Sequence, residues 1–190
     1  MLKYPGSRIH AIDADVTRHQ DRADLINFAV QKMGGIDVLV NNAASLVLKP
    51  FVETTEDDFN AMLTGNVTSV AMLSRLAMPY LAKSRGNIIN IASLAGIRSV
   101  DKFPGLSAYS ASKAAVIALT ECMAVELKEL GIRANCIAPG AVDTEMLRKA
   151  APNLNPRAKP IDIAKIVYYL ADDEQSGIIT GSTLEVFSNS

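Results

Sequence analysis

The sequence predicts an α/β fold, a parallel sheet of about five strands covered by helices on both faces. Three observations carry this. Strand-length apolar stretches alternate along the 190-residue chain with stretches of helical period. The strand stretches are nearly continuous in apolar residues, as strands buried on both faces are. Capping and turn residues separate the two kinds, giving the alternation of a helix-clad parallel sheet.

Residues 8–14, RIHAIDA, read as the first strand. Thr17 with Gln20 has the spacing of a capping box. It opens a helix over 18–33 that is expected to bury Leu25, Ala29 and Met33, with Phe28 beside them, and to stop at Gly34. IDVLVNNA, 36–43, is a short apolar strand running into Asn41 and Asn42. Thr55 and the acids Glu56, Asp57 and Asp58 open a long helix to about Leu81, with Pro79 in its frayed last turn. GNIINIAS, 86–93, is the next strand, and a helix follows over 107–131. IRANCIA, 132–138, is a strand closed by Pro139-Gly140. A helix over 162–170 presents Ile163, Ile166, Val167 and Leu170, and STLEVF, 182–187, is the last strand. No repeat, low-complexity tract or linker interrupts the series, so one domain is expected.

Composition narrows the function. Hydrophobic residues make up 49% of the chain and charged residues 21%, enough apolar material for one domain with a core. A net charge of -1, without a basic block, points away from nucleic acid and anionic membranes. No stretch has the length and apolarity of a membrane span, and the N-terminus lacks a leader's apolar run, so a cytoplasmic protein is expected. Cys122 and Cys136 then read as reduced thiols. His10, Asp13 and Asp15 lie close in sequence, but clustering alone is a poor metal signal and no metal is expected.

The chemistry-bearing stretch is AYSASKAAVIAL, 108–119. Tyr109 and Lys113 stand four apart, on one face of a helix, among small side chains. Ligands of open parallel sheets sit beyond the carboxyl ends of the strands. Ser93 ends one strand, Asn41-Asn42 and Pro139-Gly140 end two others, and Tyr109 and Lys113 begin the helix after Ser93. The phenol, ammonium and hydroxyl are thus expected to share one crevice. An ammonium beside a phenol favours the phenolate and lowers a pKa that is ordinarily about 10. Such a pair can pass a proton to or from an alcohol or carbonyl oxygen, while hydride transfer requires a nicotinamide. The same helix is apolar nearly all round from Ala114 to Leu119, so a sheet should cover one side and a second subunit the other.

With these residues in this order, the sequence resembles the short-chain dehydrogenases/reductases over essentially all 190 residues. The matching motifs are Asp15-Val16 after a strand, NNAA at 41–44, Asn66 in the long helix, Ser93, YSASK at 109–113, PG at 139–140 with Thr144, and ITG at 179–181. The resemblance implies a Rossmann-like fold and an NAD- or NADP-dependent oxidoreductase that interconverts a small-molecule alcohol and carbonyl. It implies Tyr109 as acid/base and Lys113 as the group that lowers its pKa and binds the nicotinamide ribose. It implies Ser93 orienting substrate and Asn66 supporting a water-linked proton relay to the lysine. It places Asp15 and Val16 near the adenine, and Asn41, with Ala43 beside it, near the cofactor. Pro139, Gly140, Val142 and Thr144 fall at the nicotinamide end. It also implies a homodimer or homotetramer formed through the two long helices.

The chain departs from this family most in what it lacks. None of its eleven glycines forms the G-x-G-x-x-G turn, or a variant of it, that holds a dinucleotide's phosphates. The first βαβ unit, about 30 residues, is absent. Three charge-assisted donors at about 1.5–3 kcal/mol each amount to roughly 4–9 kcal/mol, or about a thousandfold to a millionfold in affinity. Cofactor binding is therefore expected to be weak. The sheet is expected to close the gap by pairing strand 8–13 directly with 36–40. Ala44 stands where the family has glycine, the loop RSVDKFPG (98–105) is long, the segment between Thr144 and Pro160 is short, and the chain ends VFSNS. A second reading follows from the missing turn: a non-catalytic, truncated relative that associates with itself or with a complete paralogue.

Overall fold

The structure is a computed structural model that describes residues 8–187; the last three residues of the VFSNS terminus lie outside this range. Four strands form one sheet in the order β1 (Val38–Asn41), β2 (Asn87–Ile91), β3 (Arg133–Pro139) and β4 (Thr183–Val186). All neighbours are parallel, with Asn41 beside Asn90, Asn90 beside Cys136, and Cys136 beside Thr183.

Side-chain alternation sends Leu39, Ile88, Ala134 and Cys136 to one face, and Val38, Ile89 and Ile137 to the other. Three helices cover the first face: α1 (His19–Met33), α3 (Ser69–Ser84) and α4 (Ser107–Glu126). Ile26, Leu73, Ala77, Leu81 and Ala124 from these helices pack with Ile88 and Ala134. The short helix α2 (Glu56–Leu63) leads into α3, and α5 (Glu145–Ala150) follows β3. On the second face α6 (Pro160–Ala171) lays Leu170, Ile163, Ile166 and Val167 on Ile89 and Ile137, with α7 (Asp173–Ser176) next to it. A chain of polar side chains runs along the sheet: Asn41 Nδ2 donates to Asn90 Oδ1 at 2.8 Å and to Ser74 Oγ at 3.1 Å, and Asn90 Nδ2 donates to Thr120 Oγ1 at 2.9 Å.

The sheet has four strands, not five. Residues 8–14 form no strand and do not pair with β1; residues 8–13 are exposed. Their strand-like composition is not enough, because an extended segment without a ladder loses conformational entropy and gains no hydrogen bonds. The segment leading into α1 is instead held to that helix. Arg22 Nη1 donates to Val16 O at 2.6 Å, and Asp15 N donates to Asp21 Oδ2 at 2.9 Å. Among the described residues no strand pairs with the outer edge of β1, and Val40 is 39% exposed.

Three helix expectations change in detail. The Thr17–Gln20 capping box does not form; Arg18 is the N-cap of α1, and the Thr17 hydroxyl donates to Asp15 Oδ1 at 2.7 Å. Met33 is exposed although it falls on the same face as Arg22 and Ile26, because it is the last residue of α1 and the packing of that face stops short of it. The helix ends as expected at Gly34, whose φ of 84° suits glycine. The long helix starts at a Thr55–Asp58 capping box, passes through a π-turn at Thr64–Thr68, and continues through Pro79 to Ser84.

Candidate active site

The carboxyl ends of β2 and β3 open onto a cavity of about 1130 Å³. Ser93 reaches it two residues beyond β2, in an extended conformation, with its Oγ accepting from Ala95 N. Tyr109 and Lys113 reach it from the first turns of α4. Ser93 and Tyr109 line the cavity together, and the Ser93 hydroxyl acts to lower the pKa of the Tyr109 phenol. Lys113 Nζ lies 5.7 Å from the Tyr109 ring centroid and donates to Ile91 O at 2.8 Å. The expected convergence of phenol, ammonium and hydroxyl is therefore present. A shallower groove beside β4, lined by Lys165, Tyr169 and Leu184, holds none of the expected site residues.

Burial sets the protonation of these groups. Desolvation raises the Tyr109 pKa above its ordinary value, and the Ser93 hydrogen bond offsets this only in part. The expectation that Lys113 holds the phenol below its ordinary pKa is not met in this geometry. Desolvation also dominates at Lys113, where it pushes the ammonium down to about 8, with the neighbouring Cys136 acting in the opposite sense. Cys136 is itself raised to about 11 by burial.

The other expected residues divide. Ala43, Pro139, Gly140, Val142 and Thr144 line the same cavity, although the Thr144 hydroxyl is engaged as the N-cap of α5, accepting from Leu147 N at 3.2 Å. Asp15 and Val16 do not line it. Asp15 is an exposed turn residue whose carboxylate accepts from the Thr17 hydroxyl and backbone, and these bonds lower its pKa. Asn41 is turned into the sheet, toward Ser74 and Asn90. Asn66 is buried behind the cavity. It accepts from Ser45 N at 2.9 Å, and its Nδ2 donates to Ser45 O and Ser112 Oγ, both at 3.0 Å. Ala44 carries no positive φ, so it fits without strain where the family has glycine. The 98–105 loop reaches the mouth through Ser99, Val100, Asp101, Phe103 and Pro104.

Two supporting residues were not expected. Ser112 is fully buried, and its hydroxyl donates to Tyr109 O at 2.7 Å while accepting from Asn66. Gly96 sits where the turn after Ser93 presses on α4. A Cβ there would lie 2.6 Å from Lys113 C and 2.7 Å from Ala114 N. Gly96→Ala should therefore push the Ser93 turn away from Tyr109 and destabilise the fold by about 1–3 kcal/mol through overpacking. Urea denaturation checks this, and unchanged stability would show that the contact yields freely. Neither had a signal in the local sequence, because the contacts of Gly96 with Lys113 and of Ser112 with Asn66 join separate segments.

Comparison with known proteins places this site. A family model described as short chain dehydrogenase matches residues 1–155. The chain belongs to the short-chain dehydrogenase family. This short-chain dehydrogenase chain is 34% identical over 183 residues to a 3-oxoacyl-[acyl-carrier-protein] reductase of Thermotoga maritima, covering 90% of itself and 73% of that protein. It is 42% identical over 149 residues to the L-fucose dehydrogenase of Oryctolagus cuniculus, covering 77% of itself and 51% of that enzyme. Among solved structures, a 7α-hydroxysteroid dehydrogenase complexed with NADH and 7-oxo glycochenodeoxycholic acid superposes with a TM-score of 0.85 at 34% identity, over 93% of this chain and 72% of that one. A 3-ketoacyl-(acyl-carrier-protein) reductase of Brucella melitensis complexed with NADH gives 0.84 at 26% identity, over 93% and 76%. The fold is thus Rossmann-like, and the family is one of nicotinamide-dependent oxidoreductases.

Proposed function

We propose that this chain carries the proton-transfer half of an alcohol–carbonyl oxidoreductase, with Tyr109 as acid/base, Ser93 orienting the substrate oxygen, and Lys113 and Asn66 supporting them. The observation that carries this reading is the shared cavity, which Ser93 and Tyr109 line together and where Lys113 lies beside the ring.

The cavity suits a nicotinamide at one end. Lys113, Pro139, Gly140, Val142 and Thr144 surround that space, with Ala43 nearby. When bound, the cofactor supplies or accepts the hydride. In the reducing direction the Tyr109 hydroxyl gives its proton to the carbonyl oxygen, and the Ser93 hydroxyl bonds that same oxygen. The raised phenol pKa keeps Tyr109 protonated at neutral pH, ready for that role. The Lys113 ammonium then stabilises the phenolate left behind. Asn66 holds the 45–46 backbone and Ser112 in place behind them.

The phosphate end is different. Among the described residues no glycine-rich turn leads into a helix N-terminus beside the cavity. NADH and NADPH are accordingly expected to bind the 190-residue chain in the millimolar range or weaker. Titration followed by nicotinamide fluorescence tests this, and micromolar saturation with either would overturn it.

Self-association through α4 supports both the enzyme reading and the non-catalytic one. Ala111, Ala114, Ala118 and Val125 leave an apolar stripe exposed on that helix. Ala118→Arg should shift the chain to a smaller species in sedimentation. An unchanged distribution would remove α4 from the interface.

A further inference from the structure

Five large apolar side chains exposed on this protein border the cavity. Leu48, Phe103, Met146, Leu154 and Phe187 are 46%, 58%, 38%, 39% and 64% exposed, and all five line it. They come from four separate places: the loop before α2, the 98–105 loop, α5 with the segment after it, and the end of β4. An apolar surface gathered from distant segments around one hollow marks a site that takes apolar material, because covering it releases water.

Charge points the same way. Lys113 is the one cation among the described lining residues, and it sits at the base of the site with its ammonium on Ile91 O. Asp101 and Glu185, the other charged lining residues, are acids. Lys102, in the loop at the mouth, gives its ammonium to Ile97 O. A carboxylate or phosphate entering here would meet two acids and, among the described lining residues, no cation other than the buried Lys113. A sugar would leave its hydroxyls against hydrocarbon, an unfavourable burial of polar groups.

We propose that the site takes an uncharged, largely hydrocarbon ketone or secondary alcohol of fused-ring size, and rejects keto acids, phosphate esters and small polyols. This rests on the alcohol–carbonyl reading given above. The oxygen lies at Ser93 and Tyr109, and the hydrocarbon framework lies against Phe103, Leu154 and Met146. Cavities of several hundred Å³ with apolar walls and a few placed polar groups are the usual form of such ligand sites.

The test uses the 190-residue chain without cofactor, with decalone as the apolar probe and levulinate and dihydroxyacetone as the polar ones. Ligand-observed NMR should show saturable binding of decalone and at least tenfold weaker binding of the other two. Phe103→Glu and Leu154→Glu, both at exposed positions, should each weaken decalone at least tenfold with an unchanged circular dichroism spectrum. Levulinate or dihydroxyacetone binding as well as decalone would overturn the proposal, as would decalone binding that neither variant weakens. The two readings fail separately. Decalone that binds as expected but is not reduced with saturating NADH or NADPH would count against the oxidoreductase reading alone. Reduction of a polar carbonyl, with decalone not bound, would overturn the substrate class alone.

Discussion

Tyr109→Phe should lower carbonyl reduction by about a hundredfold to ten-thousandfold at saturating cofactor, the range that a positioned acid/base contributes. The substitution removes one oxygen and leaves the ring in place among Met62 and Ala108. The Ser93 hydroxyl near the phenol already accepts from Ala95 N, so stability should change by no more than about 1 kcal/mol. Retained fold with lost turnover is the expected pair of results, read by circular dichroism and by nicotinamide absorbance. Turnover within a factor of a few of the parent would take Tyr109 out of the proton path. Ser93→Ala, which leaves the phenol, is the natural companion variant.

Lys113→Met should stabilise the protein while removing its activity. Lys113 is 3% exposed, and burial lowers its pKa from 10.5 to about 8. The folded state therefore binds this proton less tightly than the unfolded chain does. Below about pH 8 both states are protonated, and the buried ammonium costs the fold about 3 kcal/mol. Between about 8 and 10.5 the unfolded chain holds the proton and the folded chain releases it, so stability rises with pH and the cost disappears. Losing the ammonium's charge-assisted bond to Ile91 O takes back about 2 kcal/mol. The variant should gain about 1 kcal/mol at pH 7, and its advantage should vanish above about pH 10.5. Urea denaturation at the two pH values measures this. A variant less stable than the parent at pH 7 would mean that the lysine's contacts outweigh its burial.

The sequence made some of this site visible and hid the rest for identifiable reasons. Tyr109 and Lys113 were legible because helical spacing places them on one face, and Ser93 because it ends a strand whose carboxyl end opens on the cavity. Asn41 also ends a strand, but alternation turns its side chain toward α3, where it bonds Ser74, so its place in the chain did not reveal its direction. Residues 8–14 have strand composition, yet a strand needs a partner, and the partner is a property of the assembled sheet. Gly96 and Ser112 matter through contacts between segments far apart in the chain, which no local pattern encodes. The apolar cavity wall, built from four separate places, was hidden in the same way.

The π-turn at Thr64–Thr68 already holds one residue more than a regular turn of the helix that carries Asn66. Deleting one residue there would let the coil wind regularly and leave the segments on either side at nearly the same relative angle, whereas adding one would swing everything before it by about 100° around the axis. Met62 would then leave the core, and Asp58 would lose Lys49, which now holds it at 2.7 Å. In a scan of single insertions this stretch should be as unforgiving as the centre of the sheet, whereas the 98–105 loop should accept a change of length.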